Sequence, residues 1–102
     1  MSKRYNGDKE LKFVRLGRVV ATPGAIEVLT DSETAALLRR HVHGDWGDVC
    51  ASDAALNDEA LRKGYRIMSV YTIGQAVSPD IKVWIITEAD RSVTTILLPE
   101  EY

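Results

Sequence analysis

The order of apolar and polar residues predicts a strand near the beginning of the chain. Residues 13–22 are rich in β-branched and other apolar side chains, and they stop at Pro23-Gly24, which is a turn signal. Residues 25–29 are long enough for one helical turn. This part of the sequence therefore predicts an N-terminal strand that is followed by a turn and a short helical segment.

A longer helix is predicted after Thr30. Thr30 and Glu33 have the spacing of a capping box, in which each side chain bonds the backbone N–H of the other residue. We expect the helix to continue through His43 and to end at Gly44, because glycine readily adopts the left-handed conformation that closes many helices. The apolar stripe of this helix comprises Leu37, Leu38, His41 and Val42.

A second helix is predicted from Ser52 or Asp53 to Lys63, with Gly64 as its end. Acidic residues stand four positions before basic ones, which favours ion pairs along the helix. These pairs are Asp58–Arg62 and Glu59–Lys63. The residues that we expect to face inward are Leu56, Ala60 and Leu61.

The last third of the chain predicts β structure. Three runs are strand-like, namely residues 65–73, 81–88 and 92–98. A turn-rich loop at residues 74–80 separates the first two runs, and residues 89–91 are short enough for a hairpin. The predicted fold is α+β, with an N-terminal strand, two short helices and a three-stranded antiparallel β-meander, and with the helices packed on one face of the sheet.

Both faces of this predicted sheet are apolar. Alternation places Ile81, Val83 and Ile85 on one face of the central strand, and Trp84 and Ile86 on the other. Two short helices can cover only one face, so the second face needs the N-terminal strand, a partner or a ligand. Homodimerisation through the sheet is one way to cover it.

Length and charge restrict the class of protein. The 102 residues fit one domain, which we expect over residues 11–102 behind a flexible basic arm at residues 1–10. Residues 1–18 carry a net charge of +4 and the rest −6, which gives −2 overall and is unlike a dedicated binder of duplex DNA. The basic arm is the candidate for contacts with phosphate.

Cysteine usage and hydropathy predict the compartment. The single cysteine, Cys50, excludes a disulfide within the chain and favours a reducing cytoplasm. The first residues lead into no apolar segment of a secretory signal, and no apolar run has the length of a membrane helix. We therefore expect a cytoplasmic protein without a membrane segment.

The segment HVHGDWGD, residues 41–48, contains both histidines of the chain and one of its two tryptophans. On a helix, His41 and His43 point about 200° apart, so they could share a metal ion only if the helix ended before His41. The sequence lacks the cysteine pairs and the i,i+4 histidines of common zinc sites. We therefore expect no metal and no cofactor.

Metal-independent cleavage of RNA is the chemistry for which the sequence offers the right residue types, because it needs a general base, a general acid and groups that hold phosphate. The catalytic candidates are His41, His43, Arg66, Arg91 and Thr94. The two histidines also have structural interpretations. His41 lies on the apolar stripe and suits a core position, and His43 stands at a helix C-terminus, where a cation meets the favourable end of the dipole.

Four further residues are candidates for binding a partner, namely Asp45, Trp46, Tyr71 and Trp84. Trp46 stands close to two glycines, and we interpret it either as an anchor of its loop or as a stacking surface for a base or a side chain. Asp45 is also a common type of turn residue. The sequence does not decide between these interpretations.

Three stretches of the sequence are distinctive, namely LGRVVATPG (residues 16–24), RHVHGDWG (residues 40–47) and KVWIITEADRSVTTILLPEEY (residues 82–102). In these stretches the chain resembles a family of small bacterial proteins that are associated with plasmids, some of which carry labels that link them to restriction–modification genes. The resemblance implies a role at mobile elements and brings no established activity. In layout alone, helices with histidine followed by a meander that ends in a Val-Thr-Thr strand are similar to the barnase–EndoU–colicin–RelE class of metal-independent RNases.

Three functions stay open at this point, and the sequence does not decide whether the protein is an enzyme. The first is a non-catalytic accessory protein of a mobile element that binds a protein partner, or itself, through the sheet or the loop after the first long helix. The second is a metal-independent ribonuclease or toxin-like domain that acts on RNA. The third is a module that binds a small ligand or nucleic acid. A pocket of histidine, arginine and threonine would favour the second, and an apolar patch with a polar rim the first.

Overall fold

The computed structural model describes residues 12–74 and 80–102 and confirms the α+β class. The elements are β1 (Arg18–Ala21), α1 (Pro23–Val28), α2 (Asp31–Val42), α3 (Ala51–Lys63), β2 (Ile67–Ile73), β3 (Ile81–Thr87), β4 (Val93–Leu97) and a 3₁₀ turn (Pro99–Glu101). The predicted basic arm and most of the predicted loop at residues 74–80 lie outside the described residues. The longest described helix has 13 residues, and none in these ranges has the length and apolarity that crossing a bilayer requires.

The four strands form one mixed sheet in the order β1-β4-β3-β2. β2 pairs antiparallel with β3, and β3 pairs antiparallel with β4, as the predicted meander requires. β1 lies parallel to β4, with Arg18 beside Val93 and Ala21 beside Ile96. The N-terminal strand therefore extends the sheet at its edge and does not cover the second face.

The prediction of a strand over residues 13–22 is too long, because only Arg18–Ala21 pairs with the sheet. Gly17 has a φ of 62°, in the left-handed region, and a Cβ there would collide with the backbone of the β3–β4 hairpin. Before this bend, Val14 is buried and donates its N–H to the carbonyl of Val42 at 2.9 Å. The residues that precede Gly17 thus pack beside the end of α2 and not in the sheet.

One face of the sheet, the helix face, packs against α1 and α2. Ala25 of α1 and Leu37 of α2 belong to the buried cluster on this face. The sheet side of the cluster comprises Tyr71, Val83, Ile85, Ile96 and Leu98. Burial of each large apolar side chain contributes about 1.5–3 kcal/mol, so this cluster is a main source of stability.

The predicted start of α2 is confirmed, and its end differs from the prediction by one residue. The Thr30 hydroxyl accepts the N–H of Glu33 at 3.0 Å, and the N–H of Thr30 donates to the Glu33 carboxylate at 2.9 Å, which completes the capping box. The helix ends at Val42, one residue before its predicted end, and Gly44 follows with a φ of 77°. Gly44 therefore directs the chain away from the helix axis.

α3 lies beside the edge strand β2, and this placement corrects the prediction that Leu56 faces inward. Leu56 is 61% exposed, whereas Asn57 and Ala60 are the buried residues of the helix. The predicted pair of Glu59 and Lys63 is confirmed at 3.0 Å. Asp58 forms its ion pair with Lys12 at 2.9 Å, and not with the predicted arginine. Gly64 ends the helix with a φ of 80°, as predicted.

The second face of the sheet, the open face, is apolar and has no layer of helix over it within the described residues. Its main side chains are Met68, Val70, Trp84, Ile86 and Leu97. After the 3₁₀ turn, the ring of Tyr102 lies across this face, with its centroid 5.5 Å from that of Trp84. Tyr102 thus separates a hollow over β2 and β3 from a smaller one over β3 and β4.

Candidate functional site

Residues 45–48, the edge loop, bind the free edge of β2. Val70 donates its N–H to the carbonyl of Trp46 at 3.0 Å, and Asp48 donates its N–H to the carbonyl of Val70 at 2.6 Å. The hydroxyl of Thr72 donates to the Asp48 carboxylate at 2.5 Å. The edge of a sheet otherwise presents unpaired backbone groups to other chains. The HVHGDWGD segment therefore closes one edge of this sheet.

The close pairing of the edge loop with β2 depends on glycine. Gly47 has a φ of 78°, and a Cβ there would collide with the carbonyl of Val70 and the ring of Tyr71. Asn57 of α3 continues the closure, because its side-chain amide bonds both backbone groups of Met68. The outward-facing backbone groups of Met68 and Val70 on the edge of β2 are thus both hydrogen-bonded.

Two of the predicted binding residues, Asp45 and Tyr71, bind each other. The buried hydroxyl of Tyr71 donates to the backbone carbonyl of Asp45 at 2.7 Å, and burial raises the pKa of Tyr71 to about 12. The Asp45 carboxylate accepts two hydrogen bonds from Arg40, at 2.7 and 3.2 Å. The bond from Arg40 is the main reason that the pKa of Asp45 lies below its usual value. These contacts fix the start of the edge loop.

Trp46 lies in the core, which matches its interpretation as an anchor. Only 5% of its surface is exposed, and it packs with Val14, Ala60 and Ile67. Its indole Nε1–H donates to the Asp58 carboxylate at 3.0 Å. Because so little of the indole is exposed, the side chain holds the edge loop in place and offers no stacking surface to a base.

His41 is buried, with no surface exposed to solvent. Its Nδ1 lies 2.6 Å from the hydroxyl oxygen of Ser69, and its Nε2 lies 2.9 Å from that of Thr87. Thr87 bonds Thr94 at 2.7 Å, and Thr94 donates to the carbonyl of Leu16 at 2.7 Å. Burial is the main cause that lowers the pKa of His41 to about 4, so the ring is neutral at pH 7.

The carbonyl of Leu16 sets the direction of every bond in this buried network. A carbonyl only accepts, so Thr94 donates its one hydroxyl proton there and must accept from Thr87. Thr87 then accepts from the Nε2–H of His41, which leaves Nδ1 without a proton and accepting from Ser69. The network thus joins α2, three strands and the segment before β1, with each polar side chain satisfied.

The five catalytic candidates lie in separate surroundings. His41 and Thr94 belong to the buried network, whereas His43 is exposed at the end of α2. Arg66 is exposed just before β2, and Arg91 lies in the β3–β4 hairpin. The described structure therefore does not bring these five residues together in one pocket, and a ribonuclease activity stays a prediction.

Both arginines among these candidates are engaged within the chain. The guanidinium of Arg91 donates to the carbonyl of Tyr65 at 2.7 Å and to that of Ala60 at 3.0 Å, and so satisfies the C-terminal end of α3. Arg66 lies 3.6 Å from the Glu88 carboxylate and donates to the hydroxyl of Tyr102 at 2.9 Å. These contacts give both residues a structural role.

The open face carries a groove of about 570 Å³ between α3 and the strands β2 and β3. Its apolar lining comprises Val49, Leu56, Met68, Val70, Trp84 and Tyr102. Leu56 and Tyr102 stand at its border and are 61% and 69% exposed. The volume falls in the range of ligand pockets, about 300–1,000 Å³. Of the four predicted binding residues, only Trp84 belongs to this groove.

The sequence interpretation misses the other groove residues. Alternation along β2 and β3 predicts two apolar faces, with Met68 and Val70 on one side of β2, but it does not tell which face the helices leave open. Leu56 is predicted to face inward and in fact forms one wall of the groove. The sequence feature that does predict a binding surface is the second apolar face of the sheet, which two short helices cannot cover.

The rim of the groove carries a net negative charge. Asp48 and Asp53 lie at the end near the edge loop, and Arg66 lies at the other end. Lys82 is 3.7 Å from Asp48, and Glu88 is 3.6 Å from Arg66, so these five groups sum to −1. A hydrogen bond from β2 is the main cause that lowers the pKa of Asp48 and keeps it ionised. The groove thus favours an occupant with a positive charge beside an apolar group.

In residues 12–74 and 80–102, no three side chains of His, Cys, Asp or Glu cluster as the ligands of a metal ion would. Comparison of the chain with protein-family models, with curated proteins and with solved structures gave no match in any of the three. The resemblance to plasmid-associated proteins stays a prediction. The function is therefore argued from the groove, the two edges of the sheet and the buried network.

Proposed function

We propose that this protein is a non-catalytic binding protein that holds a segment of a partner protein in the groove of the open face. The observation that carries the proposal is a groove with an apolar floor that is open to solvent and bordered by the exposed side chains of Leu56 and Tyr102. Exposed apolar side chains around a hollow are typical of protein-binding surfaces, in which a few buried anchors supply most of the affinity.

The lining of the groove suggests the chemistry of the partner segment. Met68 is flexible and polarisable, and Trp84 offers a large ring, so the floor suits an aliphatic or aromatic anchor side chain. The carboxylates of Asp48 and Asp53 lie at one end of this floor. The segment proposed is therefore an apolar anchor that stands next to Lys or Arg.

The placement of the catalytic candidates supports a function without catalysis. A general base needs contact with its substrate, and His41 has no exposed surface and both ring nitrogens bonded inside the core. Arg66 and Arg91 already bind groups of the chain itself. We also propose a cytoplasmic location, which the single cysteine favours. The accessory role at mobile elements, which the resemblance implies, is part of the same proposal.

Selection of peptides from a displayed random library against the wild-type protein tests the proposal. We expect the selected sequences to share an apolar or aromatic residue beside Lys or Arg. Their affinity should fall at least about tenfold for Leu56→Lys, which removes an apolar wall of the groove and places a positive charge that repels the Lys or Arg of the peptide. Ile26→Lys is the matched control, because Ile26 is 66% exposed on α1 and lies outside the groove. Peptides that bind both variants like the wild type would contradict the proposal, as would failure to select any.

Cys50 provides a direct readout of the same site. It is the only cysteine of the chain, it is exposed, and it lines the groove. A polarity-sensitive thiol dye on Cys50 should change its emission when a selected peptide is added, because the peptide displaces water from the groove. The change should be absent from the Leu56→Lys protein. An unchanged emission with a tightly bound peptide would place the binding surface elsewhere.

Incubation with RNA in EDTA tests the alternative of a metal-independent ribonuclease. We expect the RNA to stay intact, since the candidate acid and base do not share a pocket in the described residues. His43→Ala is the informative variant, because His43 is exposed and its removal leaves the core unchanged. Cleavage by the wild type that disappears in folded His43→Ala protein would overturn the non-catalytic proposal.

A further inference from the structure

The two edges of the sheet differ in how they are closed. The edge at β2 is covered by the edge loop and by Asn57. The edge at β1 has no backbone partner among residues 12–74 and 80–102. An uncovered edge presents a row of N–H and C=O groups that can pair with another strand.

The hydrogen bonds at the two ends of β1 determine which groups face outward. Arg18 and Thr22 each donate their N–H, at 3.0 Å, to a carbonyl in or next to β4. In a parallel pair, every second residue bonds the same neighbour, so Val20 also faces β4. The N–H and C=O groups of Val19 and Ala21 therefore point away from β4, in the plane of the sheet and towards its open edge. Both residues are exposed.

We propose that β1 pairs antiparallel with β1 of a second copy of this chain, which joins the two sheets into one of eight strands across a twofold axis. With Val20 opposite Val20 of the second copy, each Val19 lies opposite an Ala21 of the other chain. In antiparallel pairing, two residues that face each other in this way exchange both backbone hydrogen bonds. The two Val19–Ala21 pairs thus form four hydrogen bonds and use all the outward groups of β1.

The side chains of β1 fit this self-pairing. Two valines face each other at the axis, and β-branched pairs are favourable across strands. Arg18 of one chain lies opposite Thr22 of the other, so the two Arg18 charges stand four residues, or about 13 Å, apart along the strand. This separation exceeds the screening length of about 10 Å at moderate salt. An isologous contact of this kind closes at two copies, and it is independent of what the groove binds.

The molar mass in solution, measured by light scattering as concentration rises, tests the proposal together with amide hydrogen exchange. A contact through one short strand is small, so we expect the mass to rise from 11.3 kDa towards twice that value between about 10 μM and about 1 mM. Over the same range, exchange at Val19 and Ala21 should slow at least about tenfold. The N–H of Val20 is the internal control, because it faces β4 and should be protected at every concentration.

Three outcomes of these measurements would overturn the proposal. The first is a mass that stays at 11.3 kDa up to about 1 mM. The second is a dimer in which exchange at Val19 and Ala21 does not change, which would show pairing through another surface. The third is protection of both residues at every concentration, which would show that this edge is covered within one chain or by a different protein.

A proline variant separates pairing between chains from folding of the chain. Val19→Pro removes an N–H that points outward and leaves the bonds between β1 and β4 in place. We expect this variant to stay monomeric up to about 1 mM with a nearly unchanged unfolding midpoint. Val20→Pro, which removes an inward N–H, should lower that midpoint. A folded Val19→Pro protein that dimerises like the wild type would overturn the proposal, and the exchange measurement on the wild type stands without either variant.

Discussion

Asn57 takes the place of a neighbouring strand for Met68. Its Nδ2 donates to the carbonyl of Met68 at 2.8 Å, and its Oδ1 accepts the N–H of Met68 at 3.2 Å. Asn57 is only 7% exposed. Asparagine is rarely buried unless its amide is hydrogen-bonded, and these two bonds meet that requirement. This one side chain therefore fixes α3 to the edge of β2, because it bonds both the N–H and the C=O of Met68.

Asn57→Asp should destabilise the fold, because a carboxylate accepts hydrogen bonds but cannot donate to the carbonyl of Met68. The free energy of unfolding is expected to fall by about 1–3 kcal/mol, the cost of a buried carbonyl without a donor. Chemical denaturation at neutral pH measures it. Arg62→Ala is the control on the exposed side of the same helix and should change stability by less than about 0.5 kcal/mol. Equal stability of Asn57→Asp and the wild type would show that the contact is not formed.

Gly47 and Gly64 form a matched pair for testing the edge loop. Their φ angles are 78° and 80°, but a Cβ at Gly47 would collide with β2, whereas a Cβ at Gly64 meets nothing within 4 Å. Gly64→Ala should cost about 1–2 kcal/mol from the left-handed conformation alone. Gly47→Ala should cost about 1–3 kcal/mol more, because the loop must move off the strand. Thermal or chemical unfolding compares them, and equal losses would contradict the close approach.

Acid should weaken the fold through His41. The pKa of His41 is about 4 in the folded protein, below the ordinary value of 6.5, so the unfolded chain binds the proton first. The free energy of unfolding is therefore highest above about pH 6.5 and falls progressively as the pH is lowered to about 4, with a total loss of about 3 kcal/mol. Chemical denaturation at several pH values across this window measures the loss. A free energy of unfolding that does not change between these pH values would contradict the burial of His41.

Two glutamine variants assign this pH dependence to one histidine. Glutamine does not titrate, so His41→Gln should lose the dependence between about pH 6.5 and 4, in addition to some stability. His43→Gln should keep it, because His43 is exposed. The lowered pKa values of Asp45 and Asp58 also weaken the fold in acid, but only below the ordinary aspartate value of 3.8. The same slope in His41→Gln as in the wild type would assign the effect to other groups.

The buried network predicts the tautomer of His41. With Leu16 as the terminal acceptor, the proton lies on Nε2 and Nδ1 is bare. Long-range proton–nitrogen NMR spectra of the imidazole distinguish the two nitrogens at neutral pH. Thr94→Val removes the hydroxyl that accepts from Thr87, so the Thr87 hydroxyl can then donate to Nε2 of His41 and the second tautomer becomes possible. A proton on Nδ1 in the wild type would contradict the order of donors derived from the Leu16 carbonyl.

Local signals of the sequence predict the ends of the elements well. The capping box at Thr30 and Glu33 and the left-handed glycine at Gly64 are formed as expected, because each depends on residues close in the chain. The three strands of the meander are also close to their predicted bounds. Alternation and turn residues are sufficient where neighbouring strands follow one another.

Contacts between distant segments could not be predicted in the same way. The parallel pairing of β1 with β4 joins residues more than 70 positions apart, and no local pattern encodes it. The exposure of Leu56 has the same cause, because the inward side of α3 depends on its position beside β2 and not on helical periodicity alone. His41 is placed correctly on an inward stripe, but its hydroxyl partners, Ser69 and Thr87, come from two different strands that are distant in the sequence.

The closed edge at β2 also limits how large any assembly built by strand pairing can become. A sheet with two free edges can add copies on both sides and grow into a fibril. Here the edge loop and Asn57 end the sheet on one side, and a second copy joined at β1 would bring an identical closed edge to the other side. The edge loop, distant from the proposed contact, would therefore limit assembly by strand pairing to two copies.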